Sequence, residues 1–318
     1  MRIILITPAP PTSRAGNRTT AVRWRDILQS LGHRVDVNTV FSGQDADLMI
    51  ALHAWRSAGS VAAFSARFPG RPLILAITGT DAYRFIESHP RETLRSIELA
   101  DQLVGLHDRI AQVLPPDQRA KLNVIYQSAE PVGQRDPYRR FFHVSVIGHL
   151  REEKDPLRPA LAARRLPDSS RIQIHQYGKA HSPEWAERAQ REMQSNARYH
   201  WHGEVPRHRI RQVYRRSNLL VLPSRMEGGA NVISEAAVAG LPVIASDIPG
   251  SVGLLGDDYP GYYPVADEQA LAKLLQRAET DPVFYADLCR RCRDLQPRFS
   301  PTAETAAWAR LIDRLDEA

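Results

Sequence analysis

Short apolar runs alternate with longer segments of helical periodicity from the first residue to about residue 280. In the first half the runs are Arg2–Thr7, Arg34–Asn38, Asp47–His53, Leu73–Thr78, Gln102–Leu106 and Leu122–Tyr126, each of a length that suits one strand. Between them lie helical stretches such as Thr19–Leu31, where Ala21, Trp24, Ile27, Leu28 and Leu31 share one face and Gly32 supplies the stop. That alternation is the pattern of a doubly wound parallel sheet, so the chain reads as an α/β protein.

At 318 residues the chain has room for two domains of roughly 100 to 200 residues each. The segment Glu130–Arg140 breaks both periodicities with Pro131, Gly133 and Pro137, which sets the expected domains at 1–138 and 139–301. The pattern then restarts with strands Phe142–Ile147, Arg171–Tyr177, Tyr199–Trp201, Leu219–Leu222 and Pro242–Ala245. Helices follow near Leu157–Arg165, Pro183–Ser195, Arg207–Arg216, Ala230–Ala239, Glu268–Thr280 and Val283–Asp294. A last helix, Thr302–Leu315 within the segment 302–318, is expected to pack back on the first domain. No sequence period links the halves. Two Rossmann-like domains in tandem would turn the carboxyl ends of two sheets toward one interdomain cleft, and ligands of open α/β sheets bind at those ends. Chemistry is therefore sought in loops that follow strands.

Composition narrows the class. Apolar residues make up 43% and charged residues 25%, which excludes a disordered or collagenous chain. The longest apolar runs, such as Leu73–Ile77, fall far short of the roughly 20 residues that span a bilayer. Met1–Pro11 has an apolar run of Ile3–Ile6 only and no small-residue cleavage pattern, so it reads as the first strand of a cytoplasmic protein. Cys289 and Cys292 are the only cysteines; they have CxxC spacing but sit in a helical stretch, where a plain helix face outweighs a redox or zinc site. The net charge of +6 raises anionic partners. Residues 1–138 carry 16 basic and 13 acidic side chains and residues 139–318 carry 26 and 23, so no basic tail or basic domain exists.

The strongest motif is Ser224-Arg-Met-Glu227-Gly-Gly-Ala-Asn-Val-Ile-Ser-Glu235, which starts just after the strand Leu219–Leu222. Gly228 and Gly229 permit a tight turn and a close approach to a ligand, and the helix that begins next offers unpaired N–H groups for a diphosphate. On spacing alone, Glu227 and Glu235 fit a solvated and a packing glutamate as well as two ligand contacts. The second motif, Val146-Ile-Gly148-His149-Leu-Arg151-Glu-Glu-Lys154-Asp-Pro156, is again strand, glycine turn and helix. Arg151 and Lys154 there suit the charge that builds on a departing phosphate, or an ordinary basic loop.

The stretch EGGANVISEAAVAGLPVIA, with Glu-x7-Glu spacing, resembles the signature of glycosyltransferase family 4, and GHLREEKDP is similar to that family's GRLxxEKG element. The resemblance covers nearly the whole chain and implies the GT-B fold. It assigns Lys154, Glu227 and Arg151 to catalysis. It assigns His149, Gly228, Gly229, Ala230, Asn231, Val232 and Glu235 to the sugar-nucleotide donor. Two departures stand out: His149 replaces an arginine, and Thr78 in Ile77-Thr78-Gly79-Thr80-Asp81 replaces the histidine of an HGTD-like element.

Within that family, Thr7-Pro-Ala-Pro-Pro-Thr-Ser-Arg-Ala-Gly16-Asn17-Arg18, Ala51-Leu-His53-Ala-Trp-Arg56-Ser57 and Leu75-Ala-Ile-Thr78-Gly-Thr80-Asp81 resemble the selenosugar-synthase branch of selenoneine biosynthesis. That implies transfer of the sugar of a UDP-sugar, notably UDP-N-acetylglucosamine, to selenophosphate with formation of a C–Se bond. An acceptor that is already anionic needs cations and N–H donors rather than a general base. Gly16, Asn17, Arg18, His53, Arg56, Thr78, Gly79, Thr80 and Asp81 are the expected acceptor residues, with Arg14 beside them. Asp81 suits holding an arginine, binding hydroxyls or capping the next helix. The alternative is an ordinary family 4 transferase with a hydroxyl or thiol acceptor.

Other patterns carry less. Asp45-Ala-Asp47 has DxD spacing but precedes a strand, so it lies at the wrong end of the sheet for a metal-dependent transferase. His200 and His202 flank Trp201 with no Glu or Cys at ligand spacing. Arg207, Arg209, Arg211, Arg215 and Arg216 read as a solvated helix face. The expected partners are small-molecule substrates, with no metal or other cofactor, no nucleic acid and no membrane, in a monomer or homodimer.

Overall fold

The computed structural model describes residues 1–13 and 16–316. The chain divides into two compact units. The first comprises Met1–Gln127, Glu227–Gly229 and the chain from Pro301 onward; the second comprises Ser128–Met226 and Ala230–Ser300.

The first unit is built on a six-stranded parallel sheet: β1 (Arg2–Ile6), β2 (Arg34–Asn38), β3 (Leu48–Leu52), β4 (Leu73–Ile77), β5 (Gln102–Gly105) and β6 (Leu122–Val124), in the order β2-β1-β3-β4-β5-β6. Every residue of β3 and β4 is buried, as a parallel strand covered on both faces requires. Ile4, Ile6, Met49, Leu75 and Ile77 face Val61, Phe64 and Ile97 of the helices Ala58–Arg67 and Pro90–Leu99. Ile3, Leu5, Ile50, Ile74 and Ala76 face Trp24 and Leu28 of the helix Gly16–Ser30 and Trp308 and Leu311 of the helix Pro301–Asp316.

The second unit repeats the design with β7 (Phe142–Ile147), β8 (Ile172–Tyr177), β9 (Tyr199–Trp201), β10 (Leu219–Leu222), β11 (Val243–Ser246) and β12 (Tyr262–Tyr263). All pairs are parallel, in the order β12-β11-β10-β7-β8-β9. Eleven strands stand where the apolar runs predict them, within two residues at either end. The twelfth, β12, is two residues long and shows no periodicity that a sequence reading detects.

The break at Glu130–Arg140 is not a loose linker. Arg135 donates to Gly240 O at 2.8 Å and to Ser217 O at 2.7 Å. The N–H groups of Asp136 and Tyr138 donate to Arg215 O and Arg216 O at 3.0 Å each, so residues 131–138 form a strap on the helix Arg207–Arg216. Cys289 and Cys292 are unpaired and buried in the helix Pro282–Asp294, and burial pushes the Cys292 thiol up to about 11. Among the described residues no helix is long and apolar enough to cross a membrane.

Candidate active site

Strand order locates the crevices. In the first sheet the order reverses between β1 and β3, and in the second between β7 and β10; loops at the carboxyl ends on either side of such a point spread to admit a ligand. Both sequence motifs of the second unit leave β7 and β10.

After β7, the backbone keeps pairing. Gly148 N–H donates to Tyr177 O and Leu150 N–H to Lys179 O, each at 2.9 Å, and a Cβ on Gly178 would fall 2.0 Å from Gly148 O. The chain then makes a single turn, Glu152–Lys154, ended by Asp155 in the left-handed region at φ 40°. Asp155 takes Arg158 Nε at 2.9 Å, and Arg225 N–H donates to Glu153 O at 2.8 Å. These bonds fix the turn that carries Arg151 and Lys154 against the loop after β10. The Lys154 stem lies 3.9 Å from a Cβ on Gly148, and Arg151 Nε is 3.9 Å from Glu153 Oε2. His149 Nδ1 accepts from Lys179 N–H at 3.2 Å. Burial, helped by His181 and Arg151, lowers its pKa, so His149 is a neutral donor at Nε2 rather than a third cation.

After β10, the helix Asn231–Val238 starts at Ala230, and no side chain caps it. Ala230, Asn231 and Val232 form its entry, and Glu235 lies one turn on. Glu235 Oε2 accepts from Tyr214 Oη at 2.5 Å, a partner the sequence reading passed over.

In the first unit, Asp81 is fully buried and its carboxylate accepts from the N–H groups of Ala54 (3.0 Å), Thr78 (2.9 Å), Gly79 (2.7 Å) and Ala82 (3.2 Å). It ties the loop after β3 to the loop after β4 and reaches the first turn of the helix that follows, Asp81–Phe85. Beside it, His53 has φ 76°, a left-handed conformation that costs energy for a residue with a Cβ. It is held by His53 N–H to Ala76 O at 2.9 Å and Ser57 N–H to His53 O at 3.0 Å. His53 Nδ1 accepts from Arg56 N–H at 3.2 Å, which assigns the ring proton to Nε2 and makes it the donor to Thr80 Oγ1 at 3.0 Å. Burial lowers the His53 pKa despite the nearby Asp81. The structure thus joins His53, Thr80, Asp81, Thr78 and Gly79, with exposed Arg56 at the edge.

Gly16, Asn17 and Arg18 open the helix after β1; Arg14 lies outside the described residues. Thr7 Oγ1 and Arg18 Nη1 are buried and have no hydrogen-bond partner among the described residues.

Glu227–Gly229 belong to the first unit. A Cβ on Gly228 would stand 2.2 Å from Gly79 Cα, and one on Gly229 would stand 2.5 Å from Leu106 Cβ. Neither glycine has a positive φ. Their glycine requirement comes from close approach by the protein's own atoms, not from the tight turn that the sequence suggests.

The remaining patterns find structural uses. Asp45 pairs with Arg71 at 2.6 Å and with Arg2. Arg211 and Arg215 donate to Pro131 O and Gln134 O in the strap. His200 and His202 join a ring stack with His175 and His143, the last two with centroids 4.0 Å apart. Among the described residues, no group of three or more His, Cys, Asp and Glu side chains could hold a metal.

The family described as glycosyl transferases, group 1, matches residues 137–295. TuaC of Bacillus subtilis, named as a teichuronic acid biosynthesis glycosyltransferase, is 34% identical over 82 residues. That match spans 26% of this chain and only 21% of TuaC. Sucrose-phosphate synthase of Thermosynechococcus elongatus superimposes with a TM-score of 0.78 at 16% identity, covering 100% of this chain and 99% of its own. Anabaena HepE, solved with UDP and glucose, gives 0.76 at 16% identity, covering 99% and 100%.

Proposed function

Because this chain belongs to the group 1 glycosyl transferases, with a fold shared by GT-B enzymes, we propose that it moves the sugar of UDP-N-acetylglucosamine onto selenophosphate. The donor would lie at the β7 and β10 loops of the second unit. There Glu235 binds the ribose hydroxyls, and Lys154 and Arg151 stabilise the negative charge that collects on departing UDP. The N–H groups of Ala230 and Asn231, at the start of the uncapped helix, hold the distal phosphate, with Val232 and His149 lining the place. HepE, which was solved with UDP and glucose, supports a UDP-sugar donor.

The acceptor reading is supported by one observation, the hydrogen bonding of His53 in the first unit. His53 uses Nδ1 to accept from Arg56 N–H and Nε2 to donate to Thr80, so no ring nitrogen remains to take a proton from a hydroxyl. Selenophosphate needs none removed. Its selenium lone pair attacks C1, the C1–O bond breaks, and that electron pair leaves with UDP. Gly16, Asn17, Arg18, Arg56 and the hydroxyls of Thr78 and Thr80 would bind the anion. Asp81 acts by positioning the two loops that carry them. Resemblance to the selenosugar synthases supplies the element itself, and with it a cytoplasmic, metal-free enzyme.

The test is incubation of the purified protein with UDP-N-acetylglucosamine and selenophosphate, with mass spectrometry for UDP and a selenium-containing sugar. Turnover on a hydroxyl or thiol acceptor and none on selenophosphate would sink the selenium reading and leave the ordinary transferase.

A further inference from the structure

Tyr214 is 1% exposed and sits on the helix Arg207–Arg216, whose outer side is strapped by residues 131–138. Burial lifts its phenol pKa well above the ordinary value, so the hydroxyl stays a donor at any working pH. Its bond to Glu235 Oε2, at 2.5 Å, is made to a carboxylate, and hydrogen bonds to a charged acceptor are stronger than neutral ones. A carboxylate offers about four lone-pair sites, of which the Tyr214 bond takes one on Oε2 and restricts the rotation of the group. A carboxylate left to rotate would lose that freedom anew at each binding event.

We propose that Tyr214 is a positioning residue that presets the Glu235 carboxylate for the vicinal hydroxyls of the nucleotide ribose. This rests on the assignment of Glu235 to the ribose. Glycosyl transfer itself would be touched only through donor affinity, so in turnover the donor KM should rise while kcat stays within about twofold.

The test compares UDP with 2′,3′-dideoxy-UDP by calorimetry in the unmodified protein, in Tyr214→Phe, in Glu235→Gln and in the double variant. Tyr214→Met gives the same comparison should the Phe protein not fold. The unmodified protein should lose roughly tenfold or more in affinity when the diol is absent. Tyr214→Phe should bind UDP about tenfold more weakly and dideoxy-UDP unchanged, a pattern that general loosening would not give. In the Glu235→Gln background Tyr214→Phe should add nothing. Full discrimination kept by Tyr214→Phe and lost by Glu235→Gln would overturn the role of Tyr214 and spare that of Glu235. Discrimination kept by both would overturn the ribose assignment and the proposal with it.

Discussion

Glu304 accepts a 2.9 Å hydrogen bond from Trp24 Nε1 where neither side chain reaches solvent. Arg23 Nε adds a 3.1 Å contact to the other oxygen, and Trp24 meets Trp308 edge to face with centroids 4.8 Å apart. The helix Pro301–Asp316 is therefore bound to the helix Gly16–Ser30 by a buried charge as well as by apolar packing. Glu304→Ala strands two donors and should destabilise the first unit by about 3 kcal/mol; Glu304→Gln should cost less. Urea unfolding measures both, and a loss near zero would refute the anchoring.

Lys154→Ala should lower kcat by roughly a hundredfold to a thousandfold, the usual effect of removing one group that stabilises developing charge. Arg151→Ala should cost less, because Glu153 beside it already offsets part of its charge. Steady-state kinetics with UDP-N-acetylglucosamine decide; full activity in Lys154→Ala would remove it from the reaction.

Asp81→Asn turns an amide N–H2 toward backbone donors that now meet a carboxylate. It should cost about 2 to 3 kcal/mol of stability and raise the acceptor KM more than the donor KM, since the loops it ties carry His53 and Thr80. Thermal unfolding with separate titration of each substrate checks this, and an unchanged acceptor KM counts against the positioning role.

Acid should weaken the fold from about pH 6.5 downward. Burial lowers His143 to about 3 and His107 to about 4, from an ordinary 6.5. Between those values the unfolded chain binds protons that the native one refuses, so stability is full above pH 6.5 and is lost as pH falls. Each such histidine contributes a slope of about 1.4 kcal/mol per pH unit. Unfolding free energies between pH 7 and 5 should show it, and His143→Phe should flatten the slope by one proton. An identical slope in that variant would exclude His143 as its source.

What the sequence discloses follows from what is local. Leu219–Leu222 is legible as a strand because both faces are buried and an apolar run announces that, and Phe142–Ile147 because apolar residues alternate with His143 and Ser145. The order of strands is not legible, since the same alternation suits many orders. The site shows the same division. Lys154 and Glu235 stand out through local spacing, whereas Asp81 owes its use to Ala54, Tyr214 to Glu235 and Gly228 to Gly79, all distant in sequence. Helical periodicity tells which face Tyr214 is on, but not which carboxylate it meets there.

The first unit is discontinuous in the chain, and this sets a timetable for its synthesis. All six strands of its sheet have been synthesised once Val124 is added, but Trp308, which covers Trp24, follows only after the entire second unit. At about 5 to 20 residues per second the delay is roughly ten to forty seconds. Through that interval the part of one apolar face that the helix Pro301–Asp316 covers stays bare, an opening for chaperones and for aggregation that a contiguous domain of equal size would not present.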